Sequence, residues 1–131
     1  MIQKNPILKE VEVRRDEALV DLRFDNGASF SLSFEYLRVY SPSAEVRGHS
    51  EDEAILQTGK RRVGVERIEA TGNYAITIHF DDGHNTGIYT WDWLYELGSR
   101  HDELWAEYLK KMRDAGESRN PPTSSVLKIL N

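Results

Sequence analysis

The chain carries the same short sequence pattern twice, and this repeat constrains its fold more than any other feature. The first copy places Phe-Asp-Asn-Gly at residues 24–27 and Ser-Phe-Glu-Tyr-Leu at 33–37; the second places Phe-Asp-Asp-Gly at 80–83 and Thr-Trp-Asp-Trp-Leu at 90–94. An Asn-Gly or Asp-Gly pair predicts a tight hairpin turn, because these residues tolerate positive φ. A Ser or Thr before an aromatic run predicts a helix N-cap. We therefore expect two related strand–turn–strand–helix modules.

Alternating apolar and polar residues extend this prediction along the chain. They predict six strands, three in each module, at residues 7–13, 18–24, 29–32, 62–69, 73–80 and 86–89. A short helix should follow each module, the first from a Ser33 cap to Tyr40 and the second from a Thr90 cap to a stop at Gly98. The predicted fold class is α+β: a single small domain with antiparallel hairpins, two related strand–turn–strand–helix modules and a C-terminal helix.

The C-terminal helix is predicted to begin at a Ser99 cap and to end at Ala115. Its apolar residues fall on one side at helical spacing, namely Leu104, Trp105, Tyr108, Leu109 and Met112. This stripe favours core packing over a separate partner groove. Beyond it, the sequence contains two consecutive prolines and is predicted to form a flexible tail. We therefore expect a domain over residues 1–116 and a tail over 117–131.

Composition limits the classes of function open to the chain. Its 131 residues are 39% hydrophobic, which suits one folded domain. The formal net charge of -5 argues against a general nucleic-acid binder. The chain has no cysteine, which excludes disulfides, thiolate zinc sites and cysteine-held iron–sulfur clusters within it. Since no apolar run approaches membrane-spanning length and the first residues lack a signal core, we expect no membrane partner and a cytoplasmic location.

Four longer motifs resemble the gamma-butyrobetaine hydroxylase-like N-terminal domain family. They are LRVYSPSAEVRGH at residues 37–49, GKR at 59–61, GNYA at 72–75 and FDDGHNTGIYTW at 80–91. The resemblance covers roughly residues 7–112. This family includes many small bacterial proteins of unknown function, so the resemblance implies a domain type more than an activity.

The resemblance also implies where a metal would lie. In the carnitine-pathway hydroxylases, the related domain precedes an iron- and 2-oxoglutarate-dependent catalytic domain and binds a structural zinc through three cysteines and a histidine. The corresponding positions here are Ser41, Ser43, Val46 and His84. Serine is a poor neutral substitute for thiolate and valine cannot coordinate a metal. We therefore predict no cofactor, although the resemblance names iron or zinc.

A second association of the family suggests a partner. The domain resembles one appended to some P-loop iron–sulfur carrier ATPases, which implies a role in cofactor assembly or delivery. A chain without cysteine can contact such a carrier but cannot hold a cluster through thiolates. The implied partner is another protein, either an iron–sulfur carrier or an oxygenase component.

The residues themselves suggest two candidate metal sites. His79 and Asp81 supply the His-x-Asp part of a non-haem iron triad, with His84, His49 or His101 as the third ligand. The alternative is an exposed strand face leading into a hairpin, and we favour it. His49 and His84 form a site with acidic residues only if the long irregular loop over residues 41–59 folds onto the second hairpin.

Other side chains allow further interpretations. Ser41 and Ser43 suggest nucleophiles, yet no Gly-x-Ser-x-Gly context accompanies them, and turn or capping roles are preferred. The basic residues Arg38, Arg47, Lys60, Arg61 and Arg62 either gather into an anion patch or stand as separate surface charges, and the second is preferred. Neighbouring helix positions cannot face the same way, so Trp91 is predicted to be core and Trp93 a partly exposed contact anchor.

These observations favour a non-catalytic binding or adaptor domain. Its predicted recognition surface combines the loop over residues 41–49 with the segment over 84–93. The predicted binding residues are Arg38, Tyr40, Ser41, Ser43, Glu45, Arg47, His49, His84, Tyr89, Trp91 and Trp93. We predict no catalytic residue. The alternatives are a metal-dependent oxidoreductase component, an accessory domain of a 2-oxoglutarate-dependent hydroxylase, and a small-molecule binder that uses the aromatic positions.

Overall fold

The described part of the protein folds into two three-stranded antiparallel sheets and four α-helices. The computed structural model describes residues 5–47 and 54–122. Strand order is β1-β2-β3 in one sheet and β4-β5-β6 in the other. The strands are β1 Leu8–Arg14, β2 Leu19–Phe24, β3 Ser29–Ser33, β4 Val65–Thr71, β5 Ala75–Phe80 and β6 Ile88–Thr90. The helices are α1 Phe34–Val39, α2 Ala44–Arg47, α3 Trp91–Ser99 and α4 His101–Ala115. The predicted α+β fold class is confirmed.

The two hairpin turns have the same hydrogen bonds. The N–H of Phe24 donates to the carbonyl of Ala28 at 2.9 Å, and the N–H of Phe80 donates to the carbonyl of His84 at 3.0 Å. The glycine that ends each motif has a φ of 89° in the first turn and 88° in the second. Because this φ lies in the region that favours glycine, the repeated Phe-Asp-x-Gly pattern determines both turns.

The helices that follow the hairpins are capped alike. The Ser33 hydroxyl accepts a hydrogen bond from the N–H of Tyr36 at 3.0 Å. The Thr90 hydroxyl accepts one from the N–H of Trp93 at 3.2 Å. Each hydroxyl satisfies a donor that has no partner within its helix. Both N-cap predictions are confirmed.

One hydrophobic core joins the two modules. Apolar side chains from both sheets and from α1, α3 and α4 form a single buried cluster. Two tyrosines connect the modules reciprocally through buried hydrogen bonds. The Tyr36 hydroxyl donates to the carbonyl of Leu97 at 2.6 Å, and the Tyr89 hydroxyl donates to the carbonyl of Leu37 at 2.6 Å. Neither module therefore completes its core alone.

The prediction that Gly98 ends the second helix is wrong. Helix α3 continues to Ser99, and Gly98 lies against the ring of Phe30, where an added Cβ would come within 2.3 Å. Ser99 does not cap α4, because its hydroxyl donates to the carbonyl of Tyr95 at 2.8 Å. Arg100 occupies the N-cap position of α4 without a side-chain cap. Close packing against the Phe30 ring, rather than helix termination, explains why residue 98 is a glycine.

Two segments predicted to be irregular contain ordered contacts. The loop over 41–59 includes the short helix α2. Residues 118–120 fall in the predicted tail, yet the carbonyl of Ser118 accepts from the N–H of Gly59 at 3.0 Å. The tail prediction is therefore corrected at its start, while residues 123–131 lie outside the described residues. Within the described ranges, no helix is long and apolar enough to cross a membrane.

Candidate functional site

The predicted site residues separate into two adjoining regions. We call the first the polar joint, defined by Arg38, Ser41, Ser43, Asp82 and His84. We call the second the aromatic groove, a cavity of about 700 Å³ bordered by α1, α2, α3, α4 and the loop over residues 54–57. The aromatic groove includes Tyr40, Val46, Arg47, Trp93, Leu104 and Tyr108. Ser41 lines the groove as well, so the two regions share a wall.

A buried serine–histidine pair forms the centre of the polar joint. The Ser41 Oγ lies 2.8 Å from the His84 Nε2, and the N–H of Ser43 donates to the same Oγ at 3.3 Å. Ser41 is fully buried and His84 is 7% exposed. Burial lowers the pKa of His84, and the nearby charge of Arg38 lowers it further. Both effects favour the neutral form of the imidazole.

The Asp82 carboxylate, on the second hairpin turn, accepts hydrogen bonds from two cationic side chains. Asp82 Oδ2 accepts from Arg38 Nε at 2.9 Å and from Lys60 Nζ at 2.6 Å. Its Oδ1 accepts from the N–H of His84 at 3.1 Å. Burial would raise the pKa of Asp82, but the hydrogen bonds from Lys60 and His84, together with Arg38, outweigh burial and lower it to about 2. Two members of the candidate anion patch thus neutralise Asp82.

A carboxylate also lies near the other side of His84. Glu45 Oε2 is 4.0 Å from His84 Nδ1, and Glu45 Oε1 accepts from the Thr86 hydroxyl at 2.9 Å. The order Ser41, His84, Glu45 resembles a nucleophile relay. However, the Ser41 hydroxyl has no accessible surface, and it already accepts from the N–H of Ser43. The arrangement can position a loop, but it cannot present a nucleophile to an external substrate.

The residues at the family's zinc positions do not fit a zinc ion. Ser41, Ser43, Val46 and His84 are all buried near one another, yet only one of them offers a good zinc donor. The Ser43 Oγ is buried and has no hydrogen-bond partner among the described residues. In the same part of the chain, no group of three His, Asp or Glu side chains could hold a metal. His49 lies outside the described residues.

The candidate iron triad is dispersed. His79 Nε2 lies 2.6 Å from a carboxylate oxygen of Glu69, on the neighbouring strand. Asp81 Oδ1 accepts from the N–H of Gly64 at 2.9 Å. Both side chains therefore support the second sheet and its turn, which agrees with the strand-face interpretation.

The aromatic groove presents apolar ring faces because its polar atoms are already bonded. The Tyr40 hydroxyl donates to the carbonyl of Leu104 at 2.7 Å, and the Tyr108 hydroxyl donates to the carbonyl of Gln57 at 2.7 Å. The Trp93 Nε1 donates to the carbonyl of Tyr40 at 3.0 Å. Burial raises the pKa of Tyr40 and of Tyr108 to about 12, so both are neutral. The groove thus combines apolar ring faces with the charged side chains that also line it.

Charged side chains surround this surface. The Arg47 guanidinium lies over the Trp93 ring, 4.8 Å from its centroid. Between α3 and α4, Arg100 pairs with Glu96 of α3 at 2.7 Å, and on α4 Lys111 approaches Glu107 at 3.4 Å. Arg47 is exposed and forms no ion pair with a carboxylate of residues 5–47 or 54–122. Arg47 is therefore an exposed cation at the rim of the groove.

Several predicted binding residues are too buried to contact a partner. Five of them are at most 7% exposed, namely Arg38, Ser41, Ser43, His84 and Tyr89. Their burial argues against direct contact with a partner, and their recognition role stays a prediction. Tyr40, Glu45, Arg47 and Trp93 remain accessible or border the groove.

The two tryptophans of α3 lie on different sides. Trp93 borders the groove, whereas Trp91 Nε1 donates to the carbonyl of Asn73 at 3.2 Å beside the second sheet. Both rings are half-buried, so the prediction of a core Trp91 is only partly correct. Leu56 is absent from the predicted site residues, and for the α4 stripe core packing is preferred over the alternative of a partner groove, so the predicted site lacks both contributions. The adjacent apolar pair at residues 55–56 in an otherwise polar loop was the available signal.

Comparison with known proteins assigns the family. Residues 11–95 match the family described as gamma-butyrobetaine hydroxylase-like, N-terminal. The chain belongs to this family. The gamma-butyrobetaine hydroxylase-like match spans both modules, from β1 into α3. Among curated proteins, no sequence matches the chain.

Solved structures extend the likeness beyond the matched range. Two proteins with NMR solution structures are 43% and 41% identical, with TM-scores of 0.79 and 0.78. The alignments cover 97% and 100% of this chain, and 100% and 99% of theirs. A crystal structure from Acidithiobacillus ferrooxidans, of a protein with unknown function in the DUF971 family, is 34% identical with a TM-score of 0.58. That alignment covers 69% of this chain and 90% of the other.

Proposed function

We propose that the chain is a non-catalytic adaptor domain that receives a segment of a partner protein in the aromatic groove. One observation carries the proposal: the half-buried side chains of Tyr40 and Trp93 have their polar atoms bonded to main-chain carbonyls, and both border one cavity above the buried Tyr108. Rigid aromatic surfaces with a polar rim are typical of the centres of protein interfaces.

The rim suggests the chemistry of the segment that binds. An aliphatic or aromatic anchor would fill the apolar floor, and a carboxylate beside it would meet Arg47. Stacking on Trp93 orients the guanidinium at the rim, so less side-chain entropy is lost when a carboxylate binds. The preferred partner segment is therefore apolar with at least one Asp or Glu next to the anchor.

Family associations identify the first partners to test. The resemblance to a domain appended to iron–sulfur carrier ATPases supports a carrier protein, with a role in cofactor assembly. The chain would then supply contacts only, because it has no cysteine with which to hold a cluster.

The two tryptophans of α3 provide a matched test of the groove. We expect Trp93→Ala to weaken binding of a purified iron–sulfur carrier at least about tenfold, as for a central interface anchor. Arg47→Glu should weaken it as well. Trp91→Ala removes the same side chain from the opposite side and should leave affinity unchanged. Isothermal titration of the carrier measures all four proteins, and equal losses for Trp91→Ala and Trp93→Ala would contradict the proposal.

A second candidate function follows from the family match. In the carnitine-pathway hydroxylases this domain type accompanies an iron- and 2-oxoglutarate-dependent catalytic domain, so the chain is alternatively an accessory component of such an enzyme. Adding the purified chain to a separate hydroxylase tests this. A changed turnover of 2-oxoglutarate that Trp93→Ala abolishes would favour the accessory role over the carrier.

A further inference from the structure

A buried carboxylate that the proposed function does not use lies where α1 meets α4. Glu35, in the first turn of α1, is 7% exposed. In the described part of the chain, both hydrogen bonds to this carboxylate come from Arg119, at 2.9 and 2.7 Å. The Arg119 guanidinium also lies over the Trp105 ring of α4, 5.0 Å from its centroid. A planar cation is thus held by a carboxylate at its edge and by an indole at its face.

The carboxylate and the indole are positioned by the core of the domain. The Trp105 ring packs edge-on against Tyr36, with centroids 6.1 Å apart, and tilted against Tyr108 at 5.3 Å. Both tyrosines are buried. Phe34 and Tyr36, the neighbours of Glu35 in α1, are buried as well. The two walls that hold the guanidinium are therefore built by α1 and α4 through contacts that do not involve Arg119.

The guanidinium, in contrast, comes from an exposed segment. This segment follows Gly116, which ends α4, and its residues 117–118 are exposed. Its main chain is held by two hydrogen bonds, from the N–H of Gly59 to the carbonyl of Ser118 and from the N–H of Arg61 to the carbonyl of Arg119. The Arg119 side chain reaches Glu35 and Trp105 from the surface and keeps 28% exposure. An arginine on another polypeptide would approach the two walls in the same way.

We propose that Glu35 and Trp105 form a guanidinium-binding site, which Arg119 fills from within the chain and which an external guanidinium occupies when Arg119 is removed or displaced. The ligand class is a monosubstituted guanidinium, the group that an arginine side chain presents. Its planar fork matches both carboxylate oxygens and stacks on the indole, whereas an ammonium ion does neither. Because Glu35 is buried, leaving its charge unpaired is costly, and this favours binding of a replacement cation. The inference does not depend on the proposed function.

Replacing the missing group in Arg119→Ala tests the site. The substitution removes the atoms of ethylguanidinium, so this cation is the probe. We expect it to bind the full-length variant with a dissociation constant on the order of 1 mM. At about 10 mM it should raise the melting temperature of the variant by roughly 5 °C. Ethylammonium, which has the same charge without the fork, should have a much smaller effect. The wild type should show no comparable rise, because its tethered Arg119 already occupies the site.

Two further variants assign the effect to this site. Arg119→Ala combined with Glu35→Gln should not respond to ethylguanidinium. Arg23→Ala is the matched control, because it removes a guanidinium that lies 3.9 and 3.5 Å from the exposed carboxylates of Glu10 and Glu12, and it should not respond either. If Arg119→Ala is partly unfolded, about 10 mM probe should raise its ratio of folded to unfolded protein roughly tenfold by circular dichroism. No rise in Arg119→Ala, a rise that persists without Glu35, or equal rises with both cations would overturn the proposal.

Discussion

At the scale of single residues, the repeat is informative where its copies differ. Asn26 and Asp82 occupy the same place in the two hairpin turns. Asn26 Oδ1 accepts from the N–H of Ala28 at 3.0 Å, just as Asp82 Oδ1 accepts from that of His84 at 3.1 Å. At this position only the second copy carries a charged side chain, and the Asp82 carboxylate pairs with Arg38 and Lys60. One changed side chain thus replaces the neutral contact of the Asn26 amide with the Tyr95 hydroxyl, at 3.2 Å, by a paired charge.

Asp82→Asn separates the turn from the charge. The amide should keep the turn hydrogen bond, as Asn26 does, while the buried Arg38 loses its anion. Because Asp82 retains 23% side-chain exposure, solvent screens the pair, and we expect a loss of about 1–2 kcal/mol rather than the larger cost of breaking a fully buried pair. Urea denaturation at pH 7 measures the difference, and a variant as stable as the wild type would contradict it.

The same pair predicts a pH dependence. The pKa of Asp82 in the folded protein is lowered to about 2 from an ordinary value of 3.8. The unfolded chain therefore binds this proton at higher pH than the folded protein does, so the stabilisation is complete above pH ~4 and is lost as the pH falls towards 2. The difference in unfolding free energy between the wild type and Asp82→Asn should shrink over that interval. A constant difference would show that Asp82 is not the titrating group.

At the scale of elements, helix α3 shows packing overriding a local stop signal. Gly98 has no Cβ, and this allows the helix to approach the Phe30 ring on β3. In isolation, Gly98→Ala would favour a helix by about 1 kcal/mol. Here the added methyl would meet the ring at 2.3 Å, and overpacking typically costs about 1–3 kcal/mol. The contact with Phe30 therefore decides whether Gly98→Ala stabilises or destabilises the protein.

We expect Gly98→Ala to lower stability in the wild-type background. In a Phe30→Ala background the same change should be neutral or stabilising, because the ring that it meets is gone. Thermal denaturation of the four proteins forms a double-mutant cycle. Additive effects would mean that Gly98 and Phe30 do not constrain one another.

The N-caps allow a second test at this scale. Ser33→Ala and Thr90→Ala should each lower stability by about 1 kcal/mol, since each leaves one helix donor without a partner. Ser33→Thr and Thr90→Ser retain the hydroxyl and should have much smaller effects. Chemical denaturation compares the four variants. A large loss in the hydroxyl-retaining pair would assign the effect to packing instead of capping.

At the scale of the whole molecule, a late segment returns to the first module. Arg119 donates two hydrogen bonds to the buried Glu35 carboxylate, at 2.9 and 2.7 Å, and stacks over the Trp105 ring at 5.0 Å. The N–H of Arg61 also donates to the carbonyl of Arg119 at 2.9 Å. This contact joins α1 and α4, which border the groove, to Arg61 before β4.

Arg119→Ala should destabilise the fold by about 2 kcal/mol, because Glu35 would remain buried without a cation. Arg119→Lys retains the charge but not the two-point geometry, and we expect an intermediate loss. Urea denaturation measures the unfolding free energies of the wild type and the two variants, with Arg119→Lys expected between the other two. A wild-type stability for Arg119→Ala would mean that residues 118–120 are not an integral part of the domain.

The repeated pattern predicted the hairpins, the caps and the α+β class because each depends on neighbours in the sequence. Gly27 and Gly83 need positive φ, and Ser33 and Thr90 meet amide groups three residues away. The same local logic failed at Gly98, whose reason lies in a strand almost seventy positions earlier. It also failed at residues 118–120, where polar, proline-flanked sequence is locally typical of a tail.

The sequence by itself determined which residues turn, alternate and cap, and its long motifs were sufficient to indicate the family. The tertiary structure decided which side chains are accessible. Ser41, His84 and Tyr89 belong to the predicted recognition surface, yet all three are buried, while Trp93 and Arg47 remain at the edge of the groove. The burial of these side chains depends on how the apolar faces of the two modules pack against each other. No short-range sequence pattern encodes that contact. The duplicated module therefore specifies two scaffolds, and their packing against α4 creates the candidate site.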